Sequence, residues 1–335
     1  MINKKMHGQF YTIVNPFNND LFYKWIDTID NFKNTEILEP FAGANNIVKM
    51  INDLGYKNQW ACYDIEPGEI NNFPSFTVNK KDTLLEYPSH YIVAITNPPY
   101  LAKNSATRSG LPFPKTDYDD LYKYSLYIML KNTQYVAAII PESFITQGIF
   151  HNRLFGIISL TSRMFDDTDC PVCLALFVPE EKKSNIKLDI NDFFIYKENV
   201  SKGKFSDIKA KRIKAKSLND WKFNVPNGEI GLFAIDNTKT KSIKFVLGTE
   251  IDSYKIKVSS RGVTRIKGLP EYVNINIFIK EANKEIDNFR KNTNDLFLTA
   301  FRGLRKDGYY RRRLDFNLAK EILSYTFEKY IKKYA

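Results

Sequence analysis

Five consecutive residues, Thr96-Asn97-Pro98-Pro99-Tyr100, combine groups with a definite chemical use. They follow the apolar run 91–95, and two prolines cannot continue a central strand, so the chain must stop there in a stiff extended segment. The carboxamide oxygen of Asn97 and the carbonyl of Pro98, fixed side by side, can accept both hydrogens of an exocyclic amino group. The nitrogen is then drawn from planar toward tetrahedral, with its lone pair facing an electrophile. Tyr100 adds an aromatic face on which a planar base can stack. Asn-Pro-Pro also serves as a plain strand-ending turn. Its place in the chain, 54 residues after Gly43 and 33 after Asp64, favours the chemical reading.

Two further clusters stand at the ends of earlier apolar runs. Glu39-Pro40-Phe41-Ala42-Gly43-Ala44-Asn45 has a glycine and small residues where a chain turns from strand to helix, which lets backbone approach a ligand and leaves helix N–H groups unpaired. One glycine is a weak signal, and an ordinary turn reads the same way. Asp64, followed by Ile65, lies 21 residues after Gly43, the interval at which a carboxylate accepts hydrogen bonds from both hydroxyls of a ribose. Asp82, with Thr83, closes the next short strand-like segment; it either meets an adenine ring or is a loop residue.

These clusters require elements that hold them at one edge. Short apolar runs at 37–41, 60–65, 91–95 and 135–140 read as strands, and 46–54 and 119–130 have helical spacing. Strand alternating with helix predicts a doubly wound α/β parallel sheet, with its ligand crevice beyond the carboxyl ends of the strands.

The chain has 335 residues and a formal net charge of +11. That length favours more than one domain. A content of 43% apolar and 14% aromatic residues excludes disorder as the main description. No run approaches the length of a membrane helix and no apolar run follows Lys4 and Lys5, so an intracellular protein is expected. Cys62, Cys170 and Cys173 are too few for a disulfide scaffold. Cys170-Pro171-Val172-Cys173 has no second Cys or His pair, and His7, His90 and His151 are scattered, so no metal is expected.

Charge divides the chain. Residues 1–179 carry 15 Lys+Arg against 18 Asp+Glu, a net of −3; residues 180–335 carry 34 against 20, a net of +14. The step falls at the polar stretch Pro179-Glu180-Glu181-Lys182-Lys183-Ser184-Asn185, which predicts domains 1–179 and 180–335. In the second half, Lys211, Arg212 and Lys214 form one basic run, and Arg302, Arg305, Arg311, Arg312 and Arg313 a second with aromatics between them. Such runs either contact phosphates or are solvated faces.

Taken together, these motifs resemble the S-adenosylmethionine-dependent amino methyltransferases, and within them the DNA adenine-N6 methyltransferases. Glu39-Pro40-Phe41-Ala42-Gly43 is similar to the family's cofactor motif, Asp64 to its ribose-binding acid, Asp82 to the residue near the cofactor's adenine, and Asn97-Pro98-Pro99-Tyr100 to its catalytic tetrapeptide. Gly8-Gln9-Phe10-Tyr11-Thr12 resembles the segment that folds over the methionine moiety, and the strand and turn at 136–144 resemble those after the catalytic helix. The resemblance covers residues 8–179. Ala44-Asn45 stands where many members have a second glycine, and Ile13 where a proline is common.

The resemblance implies a Rossmann-like methyltransferase domain with S-adenosyl-L-methionine as cofactor. The catalytic motif comes early and over 150 residues follow the first domain, which is similar to the gamma group, whose target-recognition domain is C-terminal. It therefore implies a basic α+β recognition domain, double-stranded DNA as partner, base flipping between Tyr100 and Phe165, and a separate restriction endonuclease in a restriction-modification system; the sequence leaves the oligomeric state open, with a monomer favoured. RNA adenine-N6 and DNA cytosine-N4 methylation are the alternatives. The loop 102–114, with Lys103 and Arg108, either closes over the flipped base or is solvated.

Overall fold

The computed structural model describes residues 12, 14–160, 164–165 and 170–334. The chain forms two compact units, Met1–Phe205 and Ser206–Ala335. No helix among the described residues is long and apolar enough to cross a membrane.

In the first unit, α1 (Asp20–Ile26) starts at Asn19, whose side chain accepts the Leu21 N–H. Then come β1 (Ile37–Glu39), α2 (Asn46–Asp53), β2 (Trp60–Asp64), β3 (Val78–Lys80), β4 (Val93–Thr96), α3 (Lys103–Arg108), α4 (Leu121–Asn132), β5 (Tyr135–Pro141), β6 (Leu154–Ser159), β7 (Val172–Phe177), α5 (Glu180–Asn185), β8 (Phe194–Lys197) and β9 (Val200–Lys204). They build a nine-stranded sheet of order β3-β2-β1-β4-β5-β7-β6-β8-β9. The first five strands pair in parallel in the doubly wound order. Beyond β5 the expected parallel pattern gives way, because β7 runs antiparallel between β5 and β6.

Strand side chains alternate between two buried faces. Val93, Ile95, Ala137 and Ile139 join α1 and α2 in one core, while Ala94, Val136, Ala138 and Ile140 are equally buried but lie outside that core. Both faces are therefore covered, as strands this apolar require.

The boundary falls after Phe205, not at 179. The polar stretch that suggested a linker is α5, and its Lys183 is buried at 1% exposure, donating to the carbonyls of His151, Ile190 and Asp192 at 2.8, 2.6 and 2.7 Å. β8 and β9 then add to the same sheet. Counted at the observed division, the units carry net charges of −2 and +13, so the asymmetry persists.

α6 (Phe205–Ala210) spans the division. The second unit holds β10 (Lys222–Phe223), β11 (Ile230–Phe233), β12 (Lys244–Leu247), β13 (Val263–Lys267), α7 (Ile275–Thr293), β14 (Thr299–Leu304), β15 (Tyr310–Arg313) and α8 (Phe316–Tyr334). An antiparallel sheet of order β10-β13-β11-β12 packs Ile230, Leu232, Phe245 and Ile266 into a core with Phe278, Ile286 and Phe289 of α7 and Leu318 and Ile322 of α8, the expected α+β arrangement.

Beside this core lies a buried ion network. Asp236, fully buried, accepts two hydrogen bonds from Arg290 at 2.8 Å each and one from Arg305 at 3.3 Å, and Arg290 also reaches Asp295 at 2.8 Å. Removing the shared acid leaves two buried guanidinium groups short of countercharge. We predict that Asp236→Ala lowers the stability of this unit by about 3–5 kcal/mol, measured by urea unfolding followed through Trp221, which lies in the same unit.

Candidate active site

At the carboxyl ends of β1, β2 and β4 the first unit forms an open cavity of about 400 Å³. Phe41, Ala42, Gly43, Asp64, Ile65, Asp82, Thr83, Asn97 and Pro99 all line it, so clusters that lie far apart along the chain meet in one place.

The turn after β1 is held from both sides. Gly43 has φ 52° and Asn45 φ 61°, both left-handed. Asparagine is among the few side chains that occupy this region readily, so Asn45 closes the turn without a second glycine. Its side chain also donates to Asn71 Oδ1 and Phe76 O at 3.1 and 2.8 Å. Gly43 N–H donates to Asp64 Oδ2 at 2.9 Å, tying the turn to the end of β2. Asp64 Oδ1 accepts the Glu66 N–H at 2.9 Å. Burial raises the Asp64 carboxyl above the ordinary carboxylate range, against the lowering effect of these two bonds. Each oxygen keeps a second lone pair for a hydroxyl.

Asp82 Oδ1 accepts the N–H groups of Leu84 and Leu85 at 3.0 and 3.3 Å, and Thr83 donates to Pro40 O at 2.9 Å. Thr12 completes the wall: its carbonyl accepts from Asn46 Nδ2 at 3.0 Å, its backbone bridges to Phe165, and its buried hydroxyl has no hydrogen-bond partner among the described residues. Phe10 and Tyr11 lie outside the described residues.

Asn97 is half-buried on the cavity wall. The Tyr100 hydroxyl lies 2.6 Å from both Asn97 Oδ1 and Ile139 O, two acceptors for its one proton. Burial pushes the Tyr100 pKa well up, so the group remains a donor. Pro98 is buried. Phe165 does not form the expected second stacking plate. It is fully buried, edge-on to Tyr100 at 6.1 Å and 72°, and its backbone holds Thr12 instead.

The basic residues of the second unit separate into two kinds. Lys211, Arg212 and Lys214 line a polar cavity with Lys329, and Arg212 stacks over Phe297 at 4.8 Å. Arg302 is exposed. Arg305 and Arg312 are buried at 5% and 8% exposure, which removes them from any surface that touches phosphate; Arg305 pairs with Asp236 and Asp307. Arg311 donates to Asp236 O at 2.6 Å and lies over Phe301, and Arg313 Nε is buried. Two of the five arginines of that run are thus buried within the unit.

Sequence reasoning missed the opposite wall. The segment 102–114 is not one polar loop: it contains α3, and Leu111, Pro112, Phe113 and Pro114 line the cavity with Leu121, Ile47, Lys81 and Leu84. Lys103 and Arg108 make their hydrogen bonds to nearby chain, to Thr116, Asn104 and Ser105. Four apolar residues in succession inside a polar loop are the signal that marks this wall.

No family model and no curated protein matches the chain. Among solved structures it is similar to the type I restriction-modification system methyltransferase subunit from Streptococcus thermophilus, at 14% identity and TM-score 0.38, over 58% of this chain and 48% of that one. It is also similar to the M protein of the type I restriction enzyme EcoKI, at 15% identity and TM-score 0.37, over 56% and 48% of the chains. The type IIG restriction endonuclease BpuSI is a third, at 15% and 0.39, over 57% and 27%. The chain spans about half the length of the first two.

One buried acid underlies the site. Glu39 Oε1 accepts from Thr96 Oγ1 at 2.5 Å and from Phe41 N–H at 3.1 Å, Oε2 is buried without a partner among the described residues, and burial pushes the carboxyl up from 4.5 to about 8. The folded chain therefore keeps a proton that the unfolded chain loses above about pH 4.5, and stability falls as pH rises toward 8 and levels beyond it. We predict that Glu39→Gln flattens this dependence, so the variant gains on the wild type by up to about 1.4 kcal/mol per pH unit across that window. Urea midpoints at a series of pH values measure it, and parallel curves would refute the assignment.

Proposed function

We propose that the chain is an S-adenosylmethionine-dependent methyltransferase acting on the N6 amino group of adenine in double-stranded DNA, in a restriction-modification setting with a separate endonuclease. One observation carries this reading: Asn97, the amino-group acceptor, lines the same cavity as Gly43, Asp64 and Asp82. A cavity of about 400 Å³ falls within the range of cofactor sites. Its donor set fits the cofactor. Asp64 offers lone pairs to ribose hydroxyls, Ile65 and Phe113 offer apolar surface for an adenine ring, Asp82 accepts from its amino group, and the unpartnered Thr12 hydroxyl is available to the methionine part.

S-adenosylmethionine, when bound, supplies a methyl group already activated by its sulfonium. The protein's own task is alignment and polarisation. Asn97 Oδ1 and the Pro98 carbonyl take the two amino hydrogens of the flipped base, and the rigid Pro98-Pro99 pair keeps them from following the base as it moves. Tyr100 supplies a ring beside them, and its hydroxyl retains the Ile139 carbonyl when it gives up Asn97. The second unit, at +13, provides the phosphate attraction that brings duplex to the site, with Lys211, Arg212, Lys214 and Arg302 as its contacts.

Incubation with tritiated S-adenosylmethionine and unmethylated duplex DNA is expected to label adenine N6. Label confined to RNA, or on cytosine N4, would replace the substrate while keeping the chemistry. No transfer to any nucleic acid would refute the reading. We predict that Asn97→Ala lowers transfer by at least about a hundredfold with cofactor affinity nearly unchanged, measured by single-turnover labelling and calorimetry.

A further inference from the structure

The link from β12 to β13, residues 248–262, crosses β11, because β12 and β13 both pair antiparallel with it. Gly231 on β11 makes the crossing possible. A Cβ there would lie 2.7 Å from Val246 Cγ2 and 2.8 Å from Ile251 Cδ1, so the missing side chain is the space into which buried Ile251 packs. From that anchor the chain is braced on both sides. The Arg265 guanidinium donates to Ile251 O at 2.7 Å and Pro226 O at 2.6 Å, and Asn224 Nδ2 donates to Val258 O and Ser260 O at 2.9 and 3.2 Å. Asn224 has φ 59°, a left-handed conformation kept to aim that carboxamide.

What the braces hold outward is apolar. Val258 is 96% exposed and Tyr254 77%, although each would be more favourably placed out of water. Loops that need no fixed shape do not require two side chains to clamp their carbonyls. The surrounding charge is positive: Lys255, Lys257 and Arg261 against Asp252, with Lys255 bonded to Asp252 at 2.7 Å and no ion pair for Lys257 or Arg261 among the described residues. A rigid element with an apolar tip and flanking cations has the chemistry of a duplex groove reader. The cations meet phosphates, and the apolar groups meet base edges such as the thymine methyl, or wedge between base steps.

We propose that residues 252–261 are a preformed reading element of the second unit, in which Tyr254 and Val258 contact bases in a groove of the duplex while Lys257 and Arg261 hold the adjacent phosphates. This rests on the reading of that unit as DNA-binding, and it locates the sequence discrimination, which the arginine-rich run alone does not.

The test uses the full chain, with fluorescence anisotropy on a duplex bearing the site recovered by methylation sequencing and on a scrambled duplex, over a salt series. Lys257→Ala combined with Arg261→Ala is expected to weaken both duplexes alike and to flatten the slope of log K against log salt by about 2. Tyr254→Ala combined with Val258→Ser is expected to keep the slope and to reduce the preference for the true site by about tenfold. Photoreactive p-benzoylphenylalanine in place of Val258 is expected to crosslink to the duplex. If the wild type discriminates and the variants change neither slope nor preference, or the photoprobe labels only protein, the reading element is refuted and the DNA-binding assignment stands. If the wild type binds cofactor but no duplex, both fail. Unchanged melting temperatures keep the comparison free of folding effects.

Discussion

Thr96 donates its hydroxyl proton to Glu39 across the adjoining ends of β1 and β4, and the loops that leave those ends take their spacing from that bond. The same carboxyl oxygen fixes Phe41 at the start of the next turn. From there the lacing continues outward: Gly43 to Asp64 on β2, and Thr83 back to Pro40. Segments distant in sequence are thereby held by short bonds to the stretch 39–43, which begins at an acid buried at 1% exposure. A neutral carboxyl tolerates such a place better than a charged one, which is why burial moves Glu39 toward its protonated form. The rigid tetrapeptide after Thr96 begins at a fixed point for the same reason.

The second unit handles charge differently. It carries a net charge of +13, and part of its cationic complement points inward. Asp236 gathers Arg290 and Arg305, and Arg311 reaches its backbone carbonyl. These pairs hold the β14–β15 hairpin against the rest of the unit, so the hairpin's arginines are split between architecture and exposure. Net charge therefore overstates the number of cationic groups that a partner could meet.

Much of the first unit was legible in the sequence because its strands are short apolar runs with β-branched residues, and each ends in residues that cannot continue a strand. The expected 60–65 and 135–140 became β2 (Trp60–Asp64) and β5 (Tyr135–Pro141), and the turn residues Gly43, Asp64, Asp82 and Asn97 fell on one cavity, as strand-end logic requires. Three things were not legible. β7 looks like any apolar run, and nothing local tells an antiparallel partner from a parallel one. Lys183 turned a polar stretch into a packed helix by satisfying three carbonyls, a tertiary effect that composition conceals. Phe165 carries no sign in its neighbours that it lies behind Tyr100, because burial is a property of the whole core.

The bond from Tyr100 to Asn97 has a thermodynamic consequence. An acceptor left to solvent must be stripped of water before it can grip anything, and that penalty would fall on every encounter. Here the oxygen of half-buried Asn97 already holds the Tyr100 hydroxyl at 2.6 Å, and that hydroxyl has the Ile139 carbonyl as a second resting place. On the function proposed above, capture of an amino group would swap one hydrogen bond for another, close to isoenergetic in bond count. Under such an exchange the gain from binding would come from ring contact and shape, and a group with no hydrogen to offer would have no means of replacing the phenol at Asn97.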